Sequence, residues 1–174
     1  MESKSKVTKE YIINQAKEVF VQLGYTSVTM ADIATATQMG RSSLYYYFKN
    51  KEEVFFAIAE DEFSHILAKA KTKIKSNHSF YENFLAFNKE RLNLLKNLSK
   101  VYDNLIKDIR ANPAILYSMR NIKHIQECDA YRQMIVWGIK KHDIAPISSE
   151  DLNFLIIKSS TIWFKQKIAL YEYP

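Results

Sequence analysis

Glycine, proline and cysteine are scarce in this sequence: three glycines (Gly24, Gly40, Gly138), three prolines (Pro113, Pro146, Pro174) and a single cysteine, Cys128, among 174 residues. So few breakers leave long uninterrupted stretches, and the Asn-Gly and Asp-Gly pairs that close tight β-hairpins are missing. An all-α fold is expected. The lone cysteine excludes an internal disulfide. No apolar run approaches the ~20 residues needed to span a bilayer, and the opening MESKSKVTKEY lacks the apolar core of a secretion signal. A soluble, cytoplasmic protein is expected. There is no Gly-rich phosphate loop and no G-x-S-x-G elbow, so nothing suggests catalysis, and neither an enzyme nor a cofactor is expected.

Charge is present in excess but unevenly. The net charge is +6, yet residues 1–60 hold seven basic and seven acidic residues, so the excess lies in 61–174. Local charge is more informative. Positions 38–51, QMGRSSLYYYFKNK, carry Arg41, Lys49 and Lys51 and no acid.

Apolar spacing and caps divide the chain into helices. Ile12, Ala16, Val19, Phe20 and Leu23 form one stripe at 3.6-residue spacing, predicting a helix over about 8–23 that Gly24 ends. Thr29 and Asp32 have capping-box spacing, with Val28 and Ile33 placed as a hydrophobic staple, which opens a short helix over 30–36. After a break at 38–40 a third short helix covers 41–48. Asn50 with Glu53 opens a fourth, running to about Lys75. Two short helices joined by a tight turn have helix-turn-helix geometry. Beyond them Ser79 with Glu82 caps a segment containing Phe80, Phe84 and Leu85. Further helices are expected over 99–110, after Asn112-Pro113, over 121–142, and from Ser148/Asp151 to about Leu170. The predicted division is a helix-turn-helix domain at 1–50 and a helical bundle at 51–174, with helix 4 as connector.

Three tyrosines and a phenylalanine in a row, Tyr45–Phe48, cannot all face one core. With Leu44 pointing inward, Phe48 falls about 40° away at 100° per residue, so these two form the buried edge. Ser42, Ser43 and Tyr46 lie opposite, with Arg41 and Tyr45 on one flank and Tyr47 on the other. Hydroxyls backed by amphipathic rings suit a DNA major groove, where they bond to base edges or phosphates and pack on thymine methyls. Lys51 opens helix 4, where a lysine and backbone N–H groups together can hold a phosphate. The competing reading is an ordinary helix–helix contact. The capped helix before the turn and the acid-free basic flanks favour DNA.

Residues 8–54 resemble the N-terminal DNA-binding domain of the tetracycline-repressor (TetR) family of transcriptional regulators. The resemblance rests on AKEVFVQLGYTSVTMADIATAT followed by GRSSLYYYFKNKEEV, with the LYxYFxxKEE signature matched at Leu44, Tyr45, Tyr47, Phe48, Lys51, Glu52 and Glu53. It implies DNA-contact roles for Thr29, Arg41, Ser43, Tyr45, Tyr46, Tyr47 and Lys51, to which the outer-face geometry adds Ser42. Two positions depart from the family pattern: Gln38 stands where the turn usually has glycine, and Ser42 where glycine is common early in helix 3.

The resemblance also implies a palindromic operator, a homodimer and a ligand cavity in the second domain. Tyr81, Phe84, Phe87, Tyr102 and Tyr117 are the candidate effector-pocket residues, since 80–117 holds more aromatic surface than a bundle needs. Packing in the core is the plainer account of any single ring. Apolar residues on two faces of the last helices suggest a four-helix dimer interface through Ile125, Ile135, Ile139, Leu152, Leu155, Ile156 and Trp163. His124 and Cys128 are four apart on one helix, but two ligands do not make a metal site. The expected function is a ligand-released repressor of transcription. The alternatives are a regulator controlled by a protein partner, and a helical carrier or enzyme for apolar ligands that keeps the helix-turn-helix as scaffold.

Overall fold

The computed structural model describes residues 2–112, 114–115, 125–154 and 156. Among them there is no strand; the elements are α1 (Glu2–Ser27), α2 (Met30–Thr37), α3 (Arg41–Tyr47), α4 (Lys51–Lys71), α5 (Phe80–Val101), α6 (Asp103–Ala111), α7 (Ile125–Lys140) and the opening of α8 at 149–154. No helix among the described residues is long and apolar enough to cross a membrane. The all-α expectation is met. α1 starts six residues before the predicted Thr8, and α4 stops at Lys71 rather than Lys75.

The chain forms two compact units, divided after Glu62 and Asn97. The first takes in the chain up to Glu62 and again from Leu98, and so contains α1–α3, the start of α4, and α6. Its core is made by Ile12, Ala16 and Phe20 of α1 with Val28, Ile33, Leu44, Phe48, Val54, Phe55 and Ile58. α1 is interrupted at Gly24, whose φ of 74° and ψ of −178° form a conformation only glycine adopts easily. The last carbonyls before that break are capped from α6: Asn104 Nδ2 donates to the oxygens of Val21 and Gln22, and Thr26 N donates to Asp108 Oδ2 at 2.8 Å. A Cβ at Gly24 would sit 2.6 Å from that Asp108 oxygen. α4 is tied to the same unit by Lys17, which bridges Asp61 and Glu62 at 2.7 and 3.0 Å, while Tyr102 Oη donates to Glu62.

The second unit holds Phe63–Asn97 and the described chain from Ile125. Leu67, Ala70, Phe87, Ala130, Tyr131, Met134 and Ile156 form its core. Arg91 on α5 and Glu127 on α7 are buried there as an ion pair. Asn88 accepts from the Arg91 guanidinium at 2.8 Å and from Tyr131 Oη at 3.1 Å. Burial, the largest influence, pushes the Tyr131 hydroxyl pKa up. Gly138 permits close packing: a Cβ there would come within 2.9 Å of Phe80 Cβ. Ser79 and Glu82 form their capping box, and Asp143, in the loop after α7, accepts from Phe80 N at 3.0 Å.

Candidate nucleic-acid interface

α2 begins where its sequence requires. Thr29 N donates to Asp32 Oδ2 at 2.9 Å and Asp32 N to Thr29 Oγ1 at 3.3 Å, completing the capping box. The hydrogen bonds from Thr29 hold the Asp32 carboxyl below its usual range. α2 then ends at Gln38, whose φ of 52° and ψ of 31° are left-handed, with its N–H on the carbonyls of Ala34 and Thr35. The turn thus adopts the conformation that glycine favours while carrying a side chain. Gly40 starts α3 from an extended conformation, and nothing lies near its Cβ position.

α3 presents the face expected of it. Leu44 is fully buried and Phe48 nearly so, while Arg41, Ser42, Ser43 and Tyr45 are exposed. Tyr46 is 81% exposed, the most of the tyrosines at this site, and its ring meets that of half-buried Tyr47 edge-on at 5.1 Å. Such a large ring left in water on a seven-residue helix, among hydroxyls and a guanidinium, is what a groove-reading surface requires before its partner arrives.

Thr29 is exposed, but its hydroxyl is engaged in the α2 cap. Lys51 is placed differently from the expectation that its ammonium holds a phosphate. Its Nζ donates to the carbonyls of Tyr25, Thr26 and Val28 at 2.9, 3.1 and 3.0 Å, and lies 5.0 Å from the Tyr25 ring centre. An ammonium has three hydrogens, and here three carbonyls, two from the end of α1 beyond Gly24 and one from the connection to α2, take them. Tyr25 in turn donates to Glu52, and burial with that carboxylate raises its hydroxyl pKa to about 12.

The residues expected at an effector pocket stand in different local surroundings, each within its own unit. Phe87 is fully buried against Tyr131, ring centres 5.6 Å apart, and Phe84 is partly exposed beside the same ring. Tyr81 is 68% exposed, and Tyr102 belongs to the first unit, on Glu62. Tyr117 lies outside the described residues. Of the proposed dimer residues, Ile156 is buried in the core of its own unit, with Leu152 and Ile135 packed against that core from its edge and Ile139 half-buried. The side chain of Ile125, and Leu155 and Trp163, lie outside what is described, as does His124. Phe154, 200° round the helix from Ile156, is exposed. Among the described residues no group of His, Cys, Asp and Glu is placed to hold a metal. Sequence reasoning missed the α6 side chains that cap α1 and the Arg91–Glu127 pair.

A capped helix, a left-handed turn and a second helix with hydroxyls and rings turned to solvent define a helix-turn-helix DNA-binding protein. Residues 12–58 match the family described as "Bacterial regulatory proteins, tetR family". The chain is 28% identical to the uncharacterized HTH-type transcriptional regulator YhgD of Bacillus subtilis over 155 residues, 86% of this chain and 78% of YhgD. It is 25% identical over 174 residues to IcaR of Staphylococcus epidermidis, the HTH-type negative transcriptional regulator of the biofilm operon icaADBC, covering 94% of this chain and 89% of IcaR. With the HTH-type transcriptional regulator QacR of Staphylococcus aureus it shares 32% identity over 83 residues, 46% of this chain and 43% of QacR. In fold it is similar to a Syntrophomonas wolfei chain assigned to the TetR family, with a TM-score of 0.60 at 16% identity over 99% of this chain and 88% of that one. The match to the tetR family of bacterial regulatory proteins thus covers the helix-turn-helix and the helices around it, residues 12–58. The chain is a DNA-binding regulator of transcription.

Proposed function

We propose that the protein is a repressor that binds a palindromic operator as a homodimer and is released by a small apolar or aromatic ligand. The observation that carries the DNA-reading half is Tyr46, exposed on the outer face of α3 between Ser43 and Tyr47. Arg41, Ser42, Ser43, Tyr45 and Tyr46 supply base and phosphate contacts, residues 1–50 acting as the reading head and 51–174 as the effector and dimerisation domain. Repression is supported by the similarity to IcaR, a negative regulator. In a dimer, two recognition helices would address half-sites about 34–36 Å apart or a multiple of this.

The face of α8 that carries exposed Phe154 is the better candidate for the partner, because the opposite face, with Ile156, is occupied by the protomer's own core. A ligand acts only through its differential affinity for the two states, and the coupling, typically about 1–3 kcal/mol, is reciprocal. Aromatic compounds that raise the melting temperature are therefore titrated with and without the genomic fragment that the protein selects. Release requires that DNA weaken the compound by the same factor as the compound weakens DNA. Equal affinity in both titrations refutes effector control by that compound. Failure to retain any genomic duplex would favour a carrier of apolar ligands.

A further inference from the structure

α1 extends beyond the turns that its core contacts demand. The first apolar residue it buries is Ile12, yet the helix begins at Glu2, and Val7 is 61% exposed. These early turns hold Lys4, Lys6 and Lys9, all exposed, against Glu2 and Glu10. Lys6 and Lys9 are 60° apart in helical projection and share a face, while Lys4 lies about 140° from Lys9. The shared face is located by a contact: Lys9 Nζ sits 5.7 Å from the centre of the Phe48 ring, and Phe48 is the residue that ends α3. Lys49, exposed, follows it directly. The other flank of α1 is fixed by Tyr11, whose hydroxyl donates to the carbonyl of Thr37 at the end of α2. Lys9 and Lys49 therefore lie at the C-terminal end of the recognition helix, opposite the end that Arg41 opens, and Lys6 stands one turn earlier on the face of α1 that carries Lys9.

A helix lying in the major groove has sugar–phosphate backbone at both of its ends, and lysines there position the protein without reading sequence. The Lys51 ammonium is taken up by three carbonyls, so charge for the backbone must come from elsewhere on this surface. We infer that Lys6 and Lys9 of the early turns of α1, with Lys49, form a second DNA-contact surface that grips duplex phosphates beside the C-terminal end of α3. The inference rests on the DNA-binding function and adds residues that the helix-turn-helix reading leaves out.

The test uses the full chain, the genomic duplex it selects, and a random duplex of equal length. Binding of Lys6→Gln/Lys9→Gln is measured over a range of salt concentrations. Each lost phosphate contact removes about 0.9 from the slope of log K against log salt, so the double variant should lose about 1.8 per protomer. Affinity for both duplexes should fall by one common factor, on the order of tenfold at 0.1 M salt. Lys6→Arg/Lys9→Arg should restore the slope, and Lys4→Gln, which removes the same charge from another face, should leave it unchanged. The melting temperature of each variant is measured alongside; if Lys9→Gln loosens the Phe48 contact, Lys6→Gln alone should still lose about 0.9 in slope. A wild-type slope in the double variant overturns the inference, as does an equal loss in Lys4→Gln. If Arg41→Gln weakens binding in the same series while those outcomes hold, the DNA-binding function stands and only this surface falls.

Discussion

Replacing Lys51 by methionine keeps the side-chain stem and removes the ammonium, which isolates the three hydrogen bonds to Tyr25, Thr26 and Val28. A hydrogen bond with a charged partner contributes about 1.5–3 kcal/mol when well buried. Here Lys51 is half-buried and Thr26 is exposed, so water recovers part of the loss. The contact with the Tyr25 ring adds about 0.5–1 kcal/mol. The variant should therefore lose about 2 kcal/mol of the stability of the first unit, read as a lower urea midpoint by far-UV circular dichroism with an unchanged m-value. Its salt slope in DNA binding should match the wild type, because the ammonium is spent on the fold. Unchanged stability with a slope lowered by about 0.9 would refute the reasoning and return Lys51 to the phosphates.

Gln38→Gly should raise stability by about 0.5–1 kcal/mol, since the left-handed conformation at this turn strains a residue with a Cβ; a lower thermal midpoint would contradict it. Gly24→Ala should cost about 2 kcal/mol or more, through its φ of 74° and a Cβ 2.6 Å from Asp108 Oδ2, and should be checked by urea titration. Asp32 has a lowered folded-state pKa, so its capping contribution is whole above the ordinary carboxylate range and fades as pH falls through the lowered value. Asp32→Asn should flatten that part of the stability–pH curve just below the ordinary carboxylate range, measured by thermal melts; a curve parallel to wild type would show the cap contributes nothing there.

The helix-turn-helix was legible because its determinants are local. Thr29 and Asp32 are three apart, Leu44 and Phe48 four apart, and one turn of helix decides which rings face outward. The caps at Asn50/Glu53, Ser79/Glu82 and Ser148/Asp151 are present for the same reason. What the sequence hid is long-range. Nothing near Lys51 signals that carbonyls 23 to 26 residues earlier would take its ammonium. Asn104 and Asp108 look like the polar face of a short helix until α1 is seen to end against them. Arg91 and Glu127 are 36 residues apart, and on amphipathic helices each reads as a solvated charge rather than half of a buried pair. Aromatic content and apolar stripes, the signals behind the effector-pocket and dimer residues, do not distinguish a face that meets the core from one that does not. Ile156 went to the core and Phe154 to solvent, a partition that packing alone decides.

The central claim, that the outer face of α3 reads base sequence, is tested most directly by selecting bound fragments from sheared genomic DNA with the wild type and with Tyr46→Ala, and comparing the two affinities for the selected and random duplexes. Tyr46 is exposed and its ring meets Tyr47 alone among the described ring contacts, so the variant should melt as the wild type does. A base-edge contact contributes about 1–3 kcal/mol of discrimination. The expected result is a fall of roughly fivefold to a hundredfold in the preference for the selected duplex, with affinity for random DNA little changed. An unchanged preference in a variant that folds normally would contradict the assignment of α3 as the reading helix through this face.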